Sequence, residues 1–493
     1  MEIINPIIKG FNPDPSICFD GTDYFIVTSS FEYFPSLPIY KSSNLLDWQR
    51  IGSVIENEDY LDLTNIKNSQ GLFAPTIRYY DGFYFVVGTN ITEGNFICYA
   101  ENPENGWSKP IWINCPFGID PSLTFTDTTC FYQLSKFSDQ NEIIQFEIDP
   151  FSGEIVSEIR TISYGNGGRD VEAPHVFEKD DWYYLVLAEG GTREGHMVTI
   201  QRSEDIWGPF ESHPDNPILT NRDVKLPLQS VGHADLIEDE YGDWWLVALA
   251  TRPNKHFTLL GRETILLPIE WENGWPIVNK NGTASSKIIV ERPIGKKESK
   301  QETEEYNFFN EKEVKNLALP IDYSFDEKDV TLKNEGSVIK LPKDYGVSYL
   351  SISQADFDFK FSTRLKVSEL KNGKFGLMIY KDDVHYCKFG LEKDNSAFNW
   401  FIDKQVLDLS IRERNQIFNL NSEYVMSLKG NKERYFLSIK NEKEKIEVED
   451  SIQTRHFTTE VSSSKFTGVQ IGLFVEGETG ITKFYNTEGY YDY

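Results

Sequence analysis

Three acidic side chains stand in similar settings early in the chain: Asp14 in "NPDPS", Asp120 in "GIDPS" and Glu172 in "DVEAP". A proline follows each within two residues. Proline clamps the backbone and removes a ladder donor, so such segments belong at the edge or mouth of a sheet. Any one of the 77 Asp and Glu residues is ordinarily solvated surface, and an Asp before Pro is often only a turn former. What raises these three is phase: the two aspartates share one position of a recurring pattern, and the glutamate stands one residue ahead of it. Carboxyl groups brought together crowd one another's charge and raise one another's pKa. The chemistry that wants two carboxyl groups in unlike states is hydrolysis of a glycosidic bond, with one ionised as base or nucleophile and one protonated as acid.

The elements that must position these groups form a repeat. "DPSICFDGTDYFIVTSS", "APTIRYYDGFYFVVGT", "DPSLTFTDTTCFYQLS", "APHVFEKDDWYYLVLAE" and "ADLIEDEYGDWWLVALA" each give a short strand, a turn and an aromatic strand. Their starts, Asp14, Ala74, Asp120, Ala173 and Ala234, recur at the spacing of propeller blades. A Trp or Gly-Trp cue and a last strand follow in four units, as in "NLLDWQRIG", "NGWSKPIWI", "EDIWGPFES" and "NGWPIV"; the third unit lacks the Trp. The expected fold class is all-β, a five-bladed β-propeller at 1–295 followed by a β-sandwich. Two stacked sheets could give similar strand density, but a repeat in phase five times favours radial closure. The first strand of each blade lines the central channel, so Asp14, Asp120 and Glu172 are expected at one pocket.

The propeller pattern ends near "VERPIG". The charge-rich "KKESKQETEE" belongs to a linker at 296–324. From 325 to 493, runs such as "DFDFKFSTRLKV" and "KFGLMIYKDD" alternate with period two between Gly, Asn and Asp turns, which predicts the second, sandwich domain.

Composition sets outer limits. A chain of 493 residues with 39% hydrophobic and 14% aromatic content is a folded protein of more than one domain. The formal charge of −28 argues against nucleic acid or an anionic membrane as partner. The stretch "MEIINPIIKG" has neither the basic nor the apolar region of a secretory leader, and no long apolar run follows, so a cytoplasmic protein is expected. The five cysteines are odd in number and lack C-x-x-C spacing, which signals neither a disulfide framework nor a zinc site, and predicts buried free thiols.

The chain also resembles a known family, the glycoside hydrolases of family 43, and within it the two-domain β-xylosidases and α-L-arabinofuranosidases. The resemblance runs through "NPIIKGFNPDPSI", "SSFEYFPSLPIYKSSNLLDW", "GLFAPTIRY", "GIDPSL", "EAPH", "GGTREGHMVTIQRS", "VGHADLI" and "LGRETILLPIEWENGWP". It implies Asp14 as general base, Asp120 as the aspartate that orients and tunes the acid, and Glu172 as general acid, acting with inversion. It implies substrate contacts from Phe31, Phe73, Thr192, His233 and Arg262; Phe73 stands where the family often has Trp. It requires no cofactor and no catalytic metal, and leaves room for a structural cation such as calcium. The implied substrates are xylo-oligosaccharides or arabinose-containing oligosaccharides, with a homo-oligomer compatible. The rival readings are an α-L-arabinofuranosidase or arabinan-degrading enzyme, and a carbohydrate-binding protein that has lost catalysis.

Overall fold

The computed structural model describes residues 1–61, 63, 66–138, 141–291, 319–320, 330–333, 336–340, 346–419, 421–477 and 481–491. Most of the linker expected at 296–324 and the start of the second domain therefore lie outside the described residues.

Among the described residues, five four-stranded antiparallel sheets follow one another along the chain, four of them built from consecutive strands and the first interrupted by the short strand Tyr33–Phe34, which pairs elsewhere. Their first strands are Ser16–Phe19, Thr76–Tyr80, Gly118–Phe125, Glu172–Lys179 and Gln229–Glu238. Each lies against the first strand of the next sheet, and the fifth lies against the first, so the ring closes into a propeller. The second strands, Tyr24–Val27, Phe83–Asn90, Cys130–Lys136, Trp182–Glu189 and Trp244–Thr251, are mostly buried along their length. Neighbouring sheets cover both faces of these strands, which is why they are near-continuous apolar runs rather than alternating ones. The third sheet forms its last strand, Arg160–Ser163, without the Trp cue of the other four, and the Arg160 guanidinium lies 4.7 Å from the ring centre of Trp207 in the next unit.

One guanidinium links all five sheets at the axis. Arg78, from the second, donates to Ser16 Oγ of the first, the Leu123 carbonyl of the third and both carboxylate oxygens of Asp235 of the fifth, at 2.7 and 3.1 Å; it also meets His175 Nδ1 of the fourth at 3.0 Å. Burial alone would raise the Asp235 carboxyl, but Arg78 and its hydrogen bonds overcome this and lower it to about 2. Burial lowers the His175 imidazole to about 4.

The second domain packs a seven-stranded sheet on a six-stranded one. Phe361, Leu377, Phe389, Met426, Leu437 and Leu473 belong to the core between them. Among the described residues no helix is long and apolar enough to cross a membrane. The five cysteines are unpaired, with Cys18, Cys98, Cys130 and Cys387 buried and Cys115 half-buried.

Candidate active site

A recurring backbone distortion places the acidic side chains. Asp14, Asp120, Ala173 and His233 sit at φ 54°, 54°, 53° and 51°, the left-handed region that non-glycine residues seldom enter. In the third and fourth sheets the ladder register breaks between Ile119 and Ser122 and between Glu172 and His175. The bulge turns the side chain before or at the kink toward the channel rather than into the sheet. Gly118, at the start of this segment, cannot carry a side chain, because a Cβ there would meet the Ser135 carbonyl at 2.3 Å. In the fifth unit the kink falls on His233, one residue ahead of the Ala234 that the repeat alignment places there.

Around Asp14 the site is tightly connected. Arg262 donates to both of its carboxylate oxygens, at 2.7 and 3.3 Å, and to Thr192 Oγ1 at 3.2 Å. Ser29 Oγ donates to Asp14 at 2.5 Å. His233 Nδ1 lies 3.7 Å from Asp14, but burial lowers this imidazole to about 4, so it is neutral at neutral pH and forms no ion pair there. Arg262 Nε is buried without a partner among the described residues.

Asp120 and Glu172 differ from Asp14 in having no cation within ion-pair distance among the described residues. Burial, and then the charge of Asp14, raise the Asp120 carboxyl, although the Ala173 amide bonds to its ionised form. Burial first, then Asp120 and Asp14, push Glu172 well above the usual carboxylate range. Three acids thus interact around one guanidinium, one of them ion-paired and two disposed to keep a proton.

The aromatic wall is Phe31 and Phe73, with ring centres 5.1 Å apart. Sequence reasoning missed its third member, Phe466, which belongs to the second domain. Its ring stacks on Phe31 at 5.4 Å and 25°, and the Arg262 guanidinium carbon lies 5.5 Å from the centres of both rings. The domains touch backbone to backbone just beside it: a Cβ on Gly468 would stand 2.4 Å from the Leu260 carbonyl. All eight residues expected from the sequence, Asp14, Phe31, Phe73, Asp120, Glu172, Thr192, His233 and Arg262, therefore fall in one connected cluster. Ser29 and Phe466 are additions to it.

A closed ring of antiparallel sheets that brings three buried or half-buried carboxyl groups together is an architecture that glycoside hydrolases use. Residues 3–276 match the model of "Glycosyl hydrolases family 43" and residues 317–493 that of "Beta xylosidase C-terminal Concanavalin A-like domain". A non-reducing end alpha-L-arabinofuranosidase of Bacteroides ovatus is 34% identical over 96% of this chain and 91% of its own. A xylosidase/arabinosidase of Butyrivibrio fibrisolvens is 33% identical over 95% of each. The crystal structure of a xylan beta-1,4-xylosidase from Bacillus halodurans superposes with a TM-score of 0.88 at 26% identity, covering 99% of this chain and 100% of that one. The chain belongs to family 43 of the glycoside hydrolases.

Proposed function

We propose that this chain is an inverting exo-glycosidase that releases terminal β-1,4-linked xylose from xylo-oligosaccharides and also accepts α-L-arabinofuranosyl ends. The observation that carries the reading is the contrast in surroundings: Asp14 holds a guanidinium, while burial and like charge favour the protonated forms of Asp120 and Glu172. In this reading Asp14 takes a proton from water, and the water oxygen bonds to the anomeric carbon as the bond from that carbon to the leaving oxygen breaks. Glu172 gives its proton to that oxygen. Asp14 ends protonated and Glu172 ionised, and exchange with solvent restores both. Asp120 and Glu172 share one proton, which sits on Glu172; the ionised Asp120, bonded by the amide that follows Glu172, orients that acid and raises its affinity for the proton. Arg262 and Thr192 bind sugar hydroxyls, and Phe31 and Phe73 wall the ring. Water is the co-substrate and no cofactor takes part.

A preference for α-L-arabinofuranosides is the second reading, favoured by the name of the Bacteroides ovatus relative. A chromophore-release assay with aryl β-D-xyloside and aryl α-L-arabinofuranoside separates the two. Turnover of at least one is expected, with loss in Asp14→Asn by a factor of about 10³ or more. A folded parent enzyme that cleaves neither would leave only a carbohydrate-binding role.

A further inference from the structure

The chain from Ser462 to Thr467 delivers Phe466 to the site, yet the groups that hold it in place lie behind the wall. Asp382 Oδ2 accepts from Ser463 N and Oγ, both at 3.1 Å, and from Ser464 N at 3.4 Å. Its other oxygen pairs with His385 Nδ1 at 2.7 Å and accepts from Val384 N at 3.0 Å. Lys381 Nζ donates to the Thr467 carbonyl, and Ser464 Oγ meets Thr467 Oγ1. From the propeller, Ser69 Oγ accepts from Phe466 N at 2.9 Å and meets Ser464 Oγ at 3.1 Å, while Ser69 N donates to Glu32 at 2.9 Å. Glu32 directly follows Phe31, the ring on which Phe466 stacks.

Apart from the exposed Ser463 and Val384, the groups of this network are largely withdrawn from solvent. Lys381, Asp382, Ser464 and Thr467 are 0% exposed, and Glu32 is 3% exposed. An ammonium without solvent is costly unless its partners compensate it, so a lysine here is a poor choice for stability alone. Burial lowers Lys381 to about 8 and raises Glu32 to about 7, and each is drawn back toward its charged form by the other across the domain boundary. Lys381 and Asp382 also end the strand Gly373–Asp382, which is paired on both sides within the sandwich and so gives them a rigid base.

We propose that Lys381 and Asp382 are positioning residues for the reaction: through the segment 462–467 they set the Phe466 ring against Phe31 and Arg262, and so set the grip on the terminal sugar. The clamp stands on geometry; only the identity of what is gripped rests on the glycosidase reading. Lys381→Met removes the charge and keeps the length, Asp382→Asn keeps the shape with a weaker acceptor, and Ser69→Ala releases the propeller's hold. Each should raise KM for an aryl β-xyloside or α-arabinofuranoside by about tenfold while kcat stays within about threefold, the pattern of lost ground-state positioning. Amide hydrogen exchange across 462–467 should quicken. On a Phe466→Ala background the same substitutions should leave KM where Phe466→Ala alone puts it, because they act through that ring.

Parent-like KM and exchange in the folded variants would overturn the proposal, as would a KM shift that persists in full without the Phe466 ring. Should Lys381→Met fail to fold, Asp382→Asn and Ser69→Ala make the same comparison. A parent enzyme inactive on both glycosides refutes the glycosidase reading, whereas unchanged exchange in the variants refutes the clamp.

Discussion

Glu172 shows how surroundings give a carboxyl group a role. Burial and its acidic neighbours keep the proton on Glu172 well beyond the usual carboxylate range, so the acid form is lost only as pH rises through that raised value. The rate on xylobiose should therefore fall on the alkaline side of its profile, and Glu172→Gln should abolish that limb. With an aryl glycoside, whose leaving group needs little protonation, the variant should keep about 10²-fold more of its activity than with xylobiose. Equal losses on both substrates, measured as kcat/KM, would assign the acid elsewhere. The three acids were legible in the sequence because the repeat puts them in phase, and Arg262 and Thr192 because their motifs resemble the family's. Phe466 was not: nothing local distinguishes it among 34 phenylalanines, and its role arises only when the domains meet.

At the scale of strands, the legible signal was proline. Asp14, Asp120 and Ala173 each precede one, and all three adopt the left-handed kink. The kink of the fifth unit has no proline to mark it, and the alignment settled on the residue after His233. The axial arginine was hidden for a related reason: "TIRYY" looks like any half-buried strand, and the partners of Arg78 come from four other sheets. Its removal should be expensive. Arg78→Met would strand Asp235, buried to 2% exposure, and should cost about 3–5 kcal/mol in urea unfolding, since one partner of a buried pair is left uncompensated. The double variant Arg78→Met/Asp235→Asn should regain part of that loss. A single variant as stable as the parent would show that the ring closes without its central ion pair.

For the whole molecule, the sandwich adds Phe466 to the cluster around Phe31 and Arg262. A bare propeller mouth could let a polymer cross, whereas on the proposed reading the Phe466 ring, stacked on Phe31, restricts the site to a chain end. Xylobiose and xylotriose should accordingly be cleaved faster than polymeric xylan by about 10²-fold in kcat/KM, with xylose as the sole early product. A xylan solution that loses viscosity before xylose appears would show internal cleavage instead. The sequence foretold two domains from the change in pattern beyond "VERPIG", but not which segment would reach across. That depends on glycines such as Gly468, whose missing side chain matters only at the interface.

The stacking of Phe466 on Phe31 also imposes an order in time. The acids leave the ribosome with the propeller, and the Phe466 ring follows only after most of the sandwich has been made. On the proposed reading, a nascent, stalled or nicked chain that ends before Phe466 would hold the acids without the ring that selects which bond is broken. Under the proposed roles, reactivity is synthesised first and selectivity last.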